Sequence, residues 1–133
     1  MVGVLGLLGL FFATMPLAPR RHLALARKRR AIGEGEFVPM MAFAGVSGTT
    51  ARFLWKELGA FYFAPLKPLP TDKLETLIAI DRPEIEGIVV RFWSSMRGQD
   101  MRPATSPLAP DPSVAELGRH CDLLAGWSVR GNA

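Results

Sequence analysis

His120, Cys121 and Asp122 stand side by side, and a thiol, an imidazole and a carboxylate are the parts of an activated nucleophile. Neighbouring positions on a helix do not face each other, so the three cannot share the required hydrogen bonds. The pattern reads instead as a small buried cysteine between two surface residues. The carboxylates Asp72, Glu75, Asp81, Glu84 and Glu86 are spread through a loop and a helix start without metal-ligand spacing. One cysteine and two histidines, with His22 far in sequence from the adjoining His120 and Cys121, make no zinc pattern. Gly33-Glu34-Gly35 and Gly45-Val46-Ser47-Gly48 lack the lysine and spacing of a phosphate-binding loop, and no G-x-S-x-G elbow occurs. The expectation is a protein that is not an enzyme and holds no cofactor and no metal.

The elements that position these residues follow from apolar spacing and punctuation. A short apolar helix is expected over Glu36 to Ala44, stopped by Gly45, with Pro39 tolerated only in its first turn. Ser47 is the N-cap expected for GTTARFLWKELGAFYF, in which Ala51, Leu54, Trp55, Leu58, Phe61 and Tyr62 recur at helical spacing. Three prolines in APLKPLPTD exclude helix and favour an extended connection ending in a turn. Asp81 caps a further helix with Pro83 in its first turn, Glu84 and Glu86 near the positive dipole end, and Ile85, Ile88, Val89, Phe92 and Trp93 as its apolar face. After a proline-rich linker, MRPATSPLAPDP, Ser113 caps a last helix with Val114, Leu117, Cys121 and Leu124 as the buried stripe.

The N-terminus is of another character. MVGVLGLLGLFFATMPLA, Met1 to Ala18, carries no charged side chain and runs into PRRHLALARKRR. About 18 to 20 apolar residues cross a bilayer as a helix, and clustered cations stay on the cytoplasmic side. The expectation is a single-pass anchor in the inner (plasma) membrane, with Arg20, Arg21, Arg27, Lys28, Arg29 and Arg30 at the lipid surface and the remainder cytoplasmic. A cleavable signal peptide is disfavoured by the charge order and by Pro16, Leu17 and Pro19 around a cut after Ala18; a buried or interfacial apolar helix is the other alternative. The net charge of +4 comes largely from this cluster, so the basic balance fits anionic lipid without requiring nucleic acid.

The order of the later elements resembles the acyl carrier proteins: ARFLWKELGAFY for the first helix, PLPTDKLETLIAID for the long loop, RPEIEGIVVRFW for the second helix and SVAELGRHCDLLAGW for the last. The likeness spans Ser47 to Trp127. Where that family has D-S-L, with the phosphopantetheine on the serine, this chain has Asp81-Arg82-Pro83. A guanidinium has no hydroxyl to form a phosphodiester, and Ser94 and Ser95 lie further along the helix as ordinary solvent-side residues. The resemblance thus implies the carrier fold without its chemistry, as in short carrier-like proteins of bacteria, acting through the second helix, where Arg82, Glu84, Glu86 and Arg91 would meet a protein partner.

A second, shorter stretch, MMAFAGVSGTTARFL over Met40 to Leu54, is similar to the helix-turn-helix of lactose-repressor-type regulators. In that reading Gly45 takes a positive φ, Val46 packs inside, and Ser47 caps a recognition helix offering Thr49, Thr50, Arg52 and Lys56. Phe53, Leu54 and Trp55 in succession oppose it, because a base-reading face is polar.

Taken together these readings predict an all-α protein: a small bundle of three to four helices behind one transmembrane helix. The expected organisation is an anchor over 1–18, a basic juxtamembrane segment and hinge over 19–35, a helical domain over 36–127 and a frayed tail over 128–133. Its expected role is a membrane-tethered protein-interaction domain, with helix-turn-helix DNA binding as the alternative.

Overall fold

A computed structural model describes residues 17–98 and 107–126. Within them the chain is helical throughout its regular structure: α1 Leu17–Lys28, α2 Glu34–Phe43, α3 Gly48–Leu58, α4 Arg82–Arg97 and α5 Val114–Ala125. No strand occurs among the described residues, and the one extended pairing is an isolated antiparallel bridge between Lys73 and Ser113.

Local chemistry sets the helix starts. Ser47, Asp81 and Ser113 all have extended backbone, and their side chains accept from the N–H three residues on, at Thr50, Glu84 and Glu116. At Ser113 the arrangement is a full capping box, since Glu116 reaches back to the Ser113 N–H at 3.2 Å. These three starts agree with the sequence reading. Two other boundaries differ. α2 begins at Glu34, so Pro39 falls inside it rather than in its first turn; the carbonyl that loses a partner belongs to Gly35, which is exposed to water. α3 ends at Leu58 rather than running on to Phe63: past Gly59 the Ala60 and Phe61 N–H groups bond only three residues back, to Glu57 and Leu58, and the Phe63 N–H is taken by the His22 ring at 2.8 Å.

The core joins α2, α3, α4 and α5 with the loop between α3 and α4. Phe37, Met41, Leu54, Leu58, Ile85, Ile88, Phe92 and Leu117 are fully enclosed, and so are the loop residues Leu74 and Ile78. α5 lies close against the α2–α3 turn: a Cβ on Gly118 would meet both Val46 methyls at 2.8 Å, so glycine permits that approach.

The helix number exceeds the three to four expected for the bundle, and α1 is the addition. Its residues, Leu17 and Ala18 from the expected anchor and 19–28 from the expected juxtamembrane segment, form a two-sided helix. His22 is buried and Leu25 and Ala26 pack against the core, whereas Arg20, Leu23, Ala24, Arg27 and Lys28 are exposed. Gly35 belongs to α2 and not to a hinge. Residues 1–16 of the expected anchor lie outside the described residues, as do residues 99–106, which include the first half of the linker, and residues 127–133, which include the expected tail over 128–133. Among the described residues no helix is long and apolar enough to cross a membrane.

Candidate functional site

One set of polar residues that the fold gathers holds α1 to the loop after α3. Asp72 is 2% exposed. Its carboxylate accepts from Arg29 Nη1 at 2.7 Å and Nη2 at 2.9 Å, from the Tyr62 hydroxyl at 2.6 Å and from the Leu69 N–H at 3.0 Å. The bidentate ion pair raises the Arg29 pKa further, chiefly through its hydrogen bonds to Asp72. Burial, with the Asp72 charge beside it, pushes the Tyr62 phenol well above its ordinary value. Both effects describe a constructed anchor point, not a reactive one.

His22 makes the second attachment. It has no exposed surface, its Nε2 lies 2.7 Å from the Ile78 carbonyl, and its Nδ1 accepts from Phe63 N–H. These partners require the neutral ring with the proton on Nε2. Burial lowers its pKa; Arg29 acts in the same direction, and the Ile78 carbonyl and Asp72 act against it. The unfolded imidazole takes up its proton near pH 6.5 and the folded one only at lower pH. Stability conferred by this site is therefore complete above about pH 6.5 and is lost as the pH falls below it, with a slope of at most about 1.4 kcal/mol per pH unit. Urea unfolding at pH 7 and pH 5 is expected to show that loss in the wild type. His22→Gln is expected to cost about 2 to 3 kcal/mol at pH 7 and to remove the His22 part of the pH dependence; an unchanged pH profile in the variant would refute the assignment.

The six cations expected at the lipid surface are divided by the fold. Arg29 is bound to Asp72, Arg21 Nη1 donates to the Thr76 carbonyl at 2.6 Å, and Arg30 pairs with Glu36. Arg20, Arg27 and Lys28 are exposed on the opposite side of α1.

At the start of α4, the residues expected to meet a partner are largely engaged within the protein. Arg82 donates to the carbonyls of Leu108 at 2.6 Å and Ala109 at 2.9 Å and to Glu86 at 3.2 Å, which straps the segment before α5 onto α4. Arg91 pairs with Glu57 on α3. Glu84 and Glu86 are exposed, and Val90, 51% exposed, lies on the same helix. Ser94 and Ser95 are exposed, with the Ser95 hydroxyl donating to the Phe92 carbonyl. The remaining loop carboxylates also have local partners: Glu75 accepts from the Asp111 N–H, and Asp111 accepts from the Glu75 and Thr76 N–H groups and the Thr76 hydroxyl. Among the described residues no group of three or more His, Cys, Asp or Glu is placed to hold a metal ion.

The α2–α3 turn has the local geometry read from the sequence. Gly45 has φ +89°, Val46 is fully buried, and Ser47 caps α3. Thr49, Arg52 and Lys56 are exposed on one face of α3, whereas Leu54 is enclosed and Phe53 and Trp55 are half-buried against Phe92 and Phe37. Asp122 is corrected by the structure. Expected at the surface, it is 5% exposed and accepts from Ser47 N–H at 2.8 Å, the Ser47 hydroxyl at 2.7 Å and the Thr50 hydroxyl at 2.5 Å. The Thr50 hydroxyl is thus turned inward. Cys121 is buried as expected, and burial with the Asp122 charge pushes its thiol up to about 12, which keeps it protonated and unreactive at neutral pH.

Sequence reasoning missed His22, Asp72 and Tyr62 as a group. The available signal was the spacing His22, Leu25, Ala26, Arg29, an inward stripe inside a basic segment. No family model matches this chain, and neither does any curated protein or solved structure.

Proposed function

We propose that this protein is a non-catalytic adaptor: a helical domain of carrier-like order that acts through protein contacts while residues 1–18 tether it to the cytoplasmic side of the inner membrane. The observation that favours this reading most is Arg82. At the position where the carrier family has its serine, the guanidinium spends its donors on two backbone carbonyls and Glu86, a structural strap in place of an attachment point. The contact face is then the exposed side of α4, with Val90 between Glu86 and Arg91.

The test restores the missing motif. Wild-type protein treated with a phosphopantetheinyl transferase and coenzyme A is expected to keep its mass, whereas Arg82→Ser/Pro83→Leu is expected to gain the arm. A folded double variant that is never loaded would remove the carrier comparison.

Helix-turn-helix DNA binding is the second reading, favoured by the backbone of Gly45, the buried Val46 and the single polar face of Thr49, Arg52 and Lys56. It loses one of its expected contacts, because Thr50 bonds to Asp122. Retarded migration of duplex DNA, with affinity falling steeply as salt rises, would establish it in place of the first.

A further inference from the structure

We infer that the outward face of α1 is a docking surface for an anionic phospholipid bilayer, so that the domain lies against the membrane instead of hanging from its tether. This rests on the reading that residues 1–18 reach a membrane.

The exposed residues of α1, Arg20, Leu23, Ala24, Arg27 and Lys28, fall within an arc of roughly 140° at 3.6 residues per turn. The inward side carries His22, Leu25 and Ala26. The fold therefore sorts the basic cluster into two sets. Arg21, Arg29 and Arg30 have acceptors inside the protein; Arg20, Arg27 and Lys28 have no such bond to a described residue and share one strip. Leu23, 41% exposed, borders the strip at one edge, between Arg20 and Arg27 along the axis, and the helix contains no acidic residue.

That combination fits a bilayer surface. Cations at both ends of the strip meet headgroup phosphates, and a leucine between them enters the boundary with the acyl chains. A groove of about 250 Å³ adjoins the strip, floored by Ala24, Leu25 and Leu77 and edged by Arg21, Lys28 and Thr76, which extends the same pattern of apolar floor and cationic rim. The uncharged segment Met1 to Ala18 leads directly into this helix, so the strip starts where the chain would leave the lipid. His22 and Arg29 fasten α1 to the body, and docking of the helix therefore sets the orientation of the whole domain.

The experiment uses the full chain carrying Leu23→Cys labelled with a polarity-sensitive dye; the buried Cys121 is shielded from the label. Vesicles of phosphatidylcholine and vesicles enriched in phosphatidylglycerol are compared, with flotation as a separate readout. The expected result is flotation with both and a blue shift only on the anionic vesicles, reversed by high salt. Each surface-near cation strengthens such contact by about fivefold, so Arg20→Glu/Arg27→Glu/Lys28→Glu is expected to lower the docked-to-undocked ratio by about a hundredfold or more while flotation persists. The corresponding substitutions to lysine at Arg20 and Arg27 should retain docking, because charge and not guanidinium shape is needed.

Flotation with both vesicle types without any blue shift overturns the docking surface and leaves the tether intact. Flotation only with anionic vesicles, together with the shift, overturns the tether and upholds the surface. A chain that floats with neither overturns both. Displacement of the dye signal by duplex DNA at equal charge concentration would make nucleic acid the ligand of this face and end the proposal.

Discussion

Asp72→Ala is expected to cost about 3 to 5 kcal/mol of folding stability, the range for removing one partner of a buried ion pair. The carboxylate neutralises Arg29, whose side chain is 19% exposed, and it also accepts from the Tyr62 hydroxyl and the Leu69 N–H. Deleting it leaves the partly exposed Arg29 guanidinium with only the Lys67 carbonyl and strands the Tyr62 hydroxyl and the Leu69 N–H, each with its own desolvation cost. Asp72→Asn keeps an acceptor for Tyr62 or Leu69 but loses the charge, and about half the penalty is expected. Because Arg29 follows directly on α1, the loss should appear first as faster amide exchange across Leu17–Lys28, before the exchange of α4 changes. Urea unfolding and site-resolved hydrogen exchange measure both. A midpoint in Asp72→Ala equal to that of the wild type would show that α1 is held by other means.

Asp122→Ala should cost a comparable amount, about 3 to 5 kcal/mol, at the opposite end of the core. One carboxylate serves three donors at the start of α3, Ser47 N–H and the hydroxyls of Ser47 and Thr50, and its negative charge faces the positive end of that helix. It is also the polar link by which α5 fixes the α2–α3 turn, next to Arg119 donating to the Ala44 carbonyl. Removing Thr50's hydroxyl as well, in Asp122→Ala/Thr50→Val, removes one stranded donor, so the double variant is expected to be more stable than the sum of the two single losses by about 1 to 2 kcal/mol. Strict additivity in a double-mutant cycle would contradict the hydrogen bond as drawn. Loss of these bonds should not prevent α3 from forming, since the Ser47 cap on the Thr50 N–H stays and Leu54 and Leu58 remain enclosed; it should loosen the turn.

These two carboxylates also show how the legible and illegible parts of this protein differ. The starts of α3, α4 and α5 were legible because a cap is a local event: Ser47, Asp81 and Ser113 bond three residues ahead, whatever the rest of the chain does. The inward stripe of α5 was legible for the same kind of reason, through helical spacing of Val114, Leu117, Cys121 and Leu124. The end of α3 was not. Its apolar spacing continues to Tyr62, but the helix stops at Leu58, where the chain turns with the Ala60 N–H on the Glu57 carbonyl, and beyond the turn a histidine 41 residues earlier takes the Phe63 N–H.

The candidate site divides along the same line. Composition and order alone determined a helical protein with a strongly basic stretch behind an apolar one, and they determined that position 82 carries a guanidinium without a hydroxyl. Tertiary structure decided what those cations do: Arg29 turns inward to Asp72, Arg21 to a loop carbonyl, and Arg20, Arg27 and Lys28 outward. It also moved Asp122 from an expected surface position to a buried one against the start of α3. Periodicity and capping depend on neighbours within one or two turns, whereas the fate of a charge depends on which partner the fold brings within about 3 Å, and those partners lie 43 to 75 residues away.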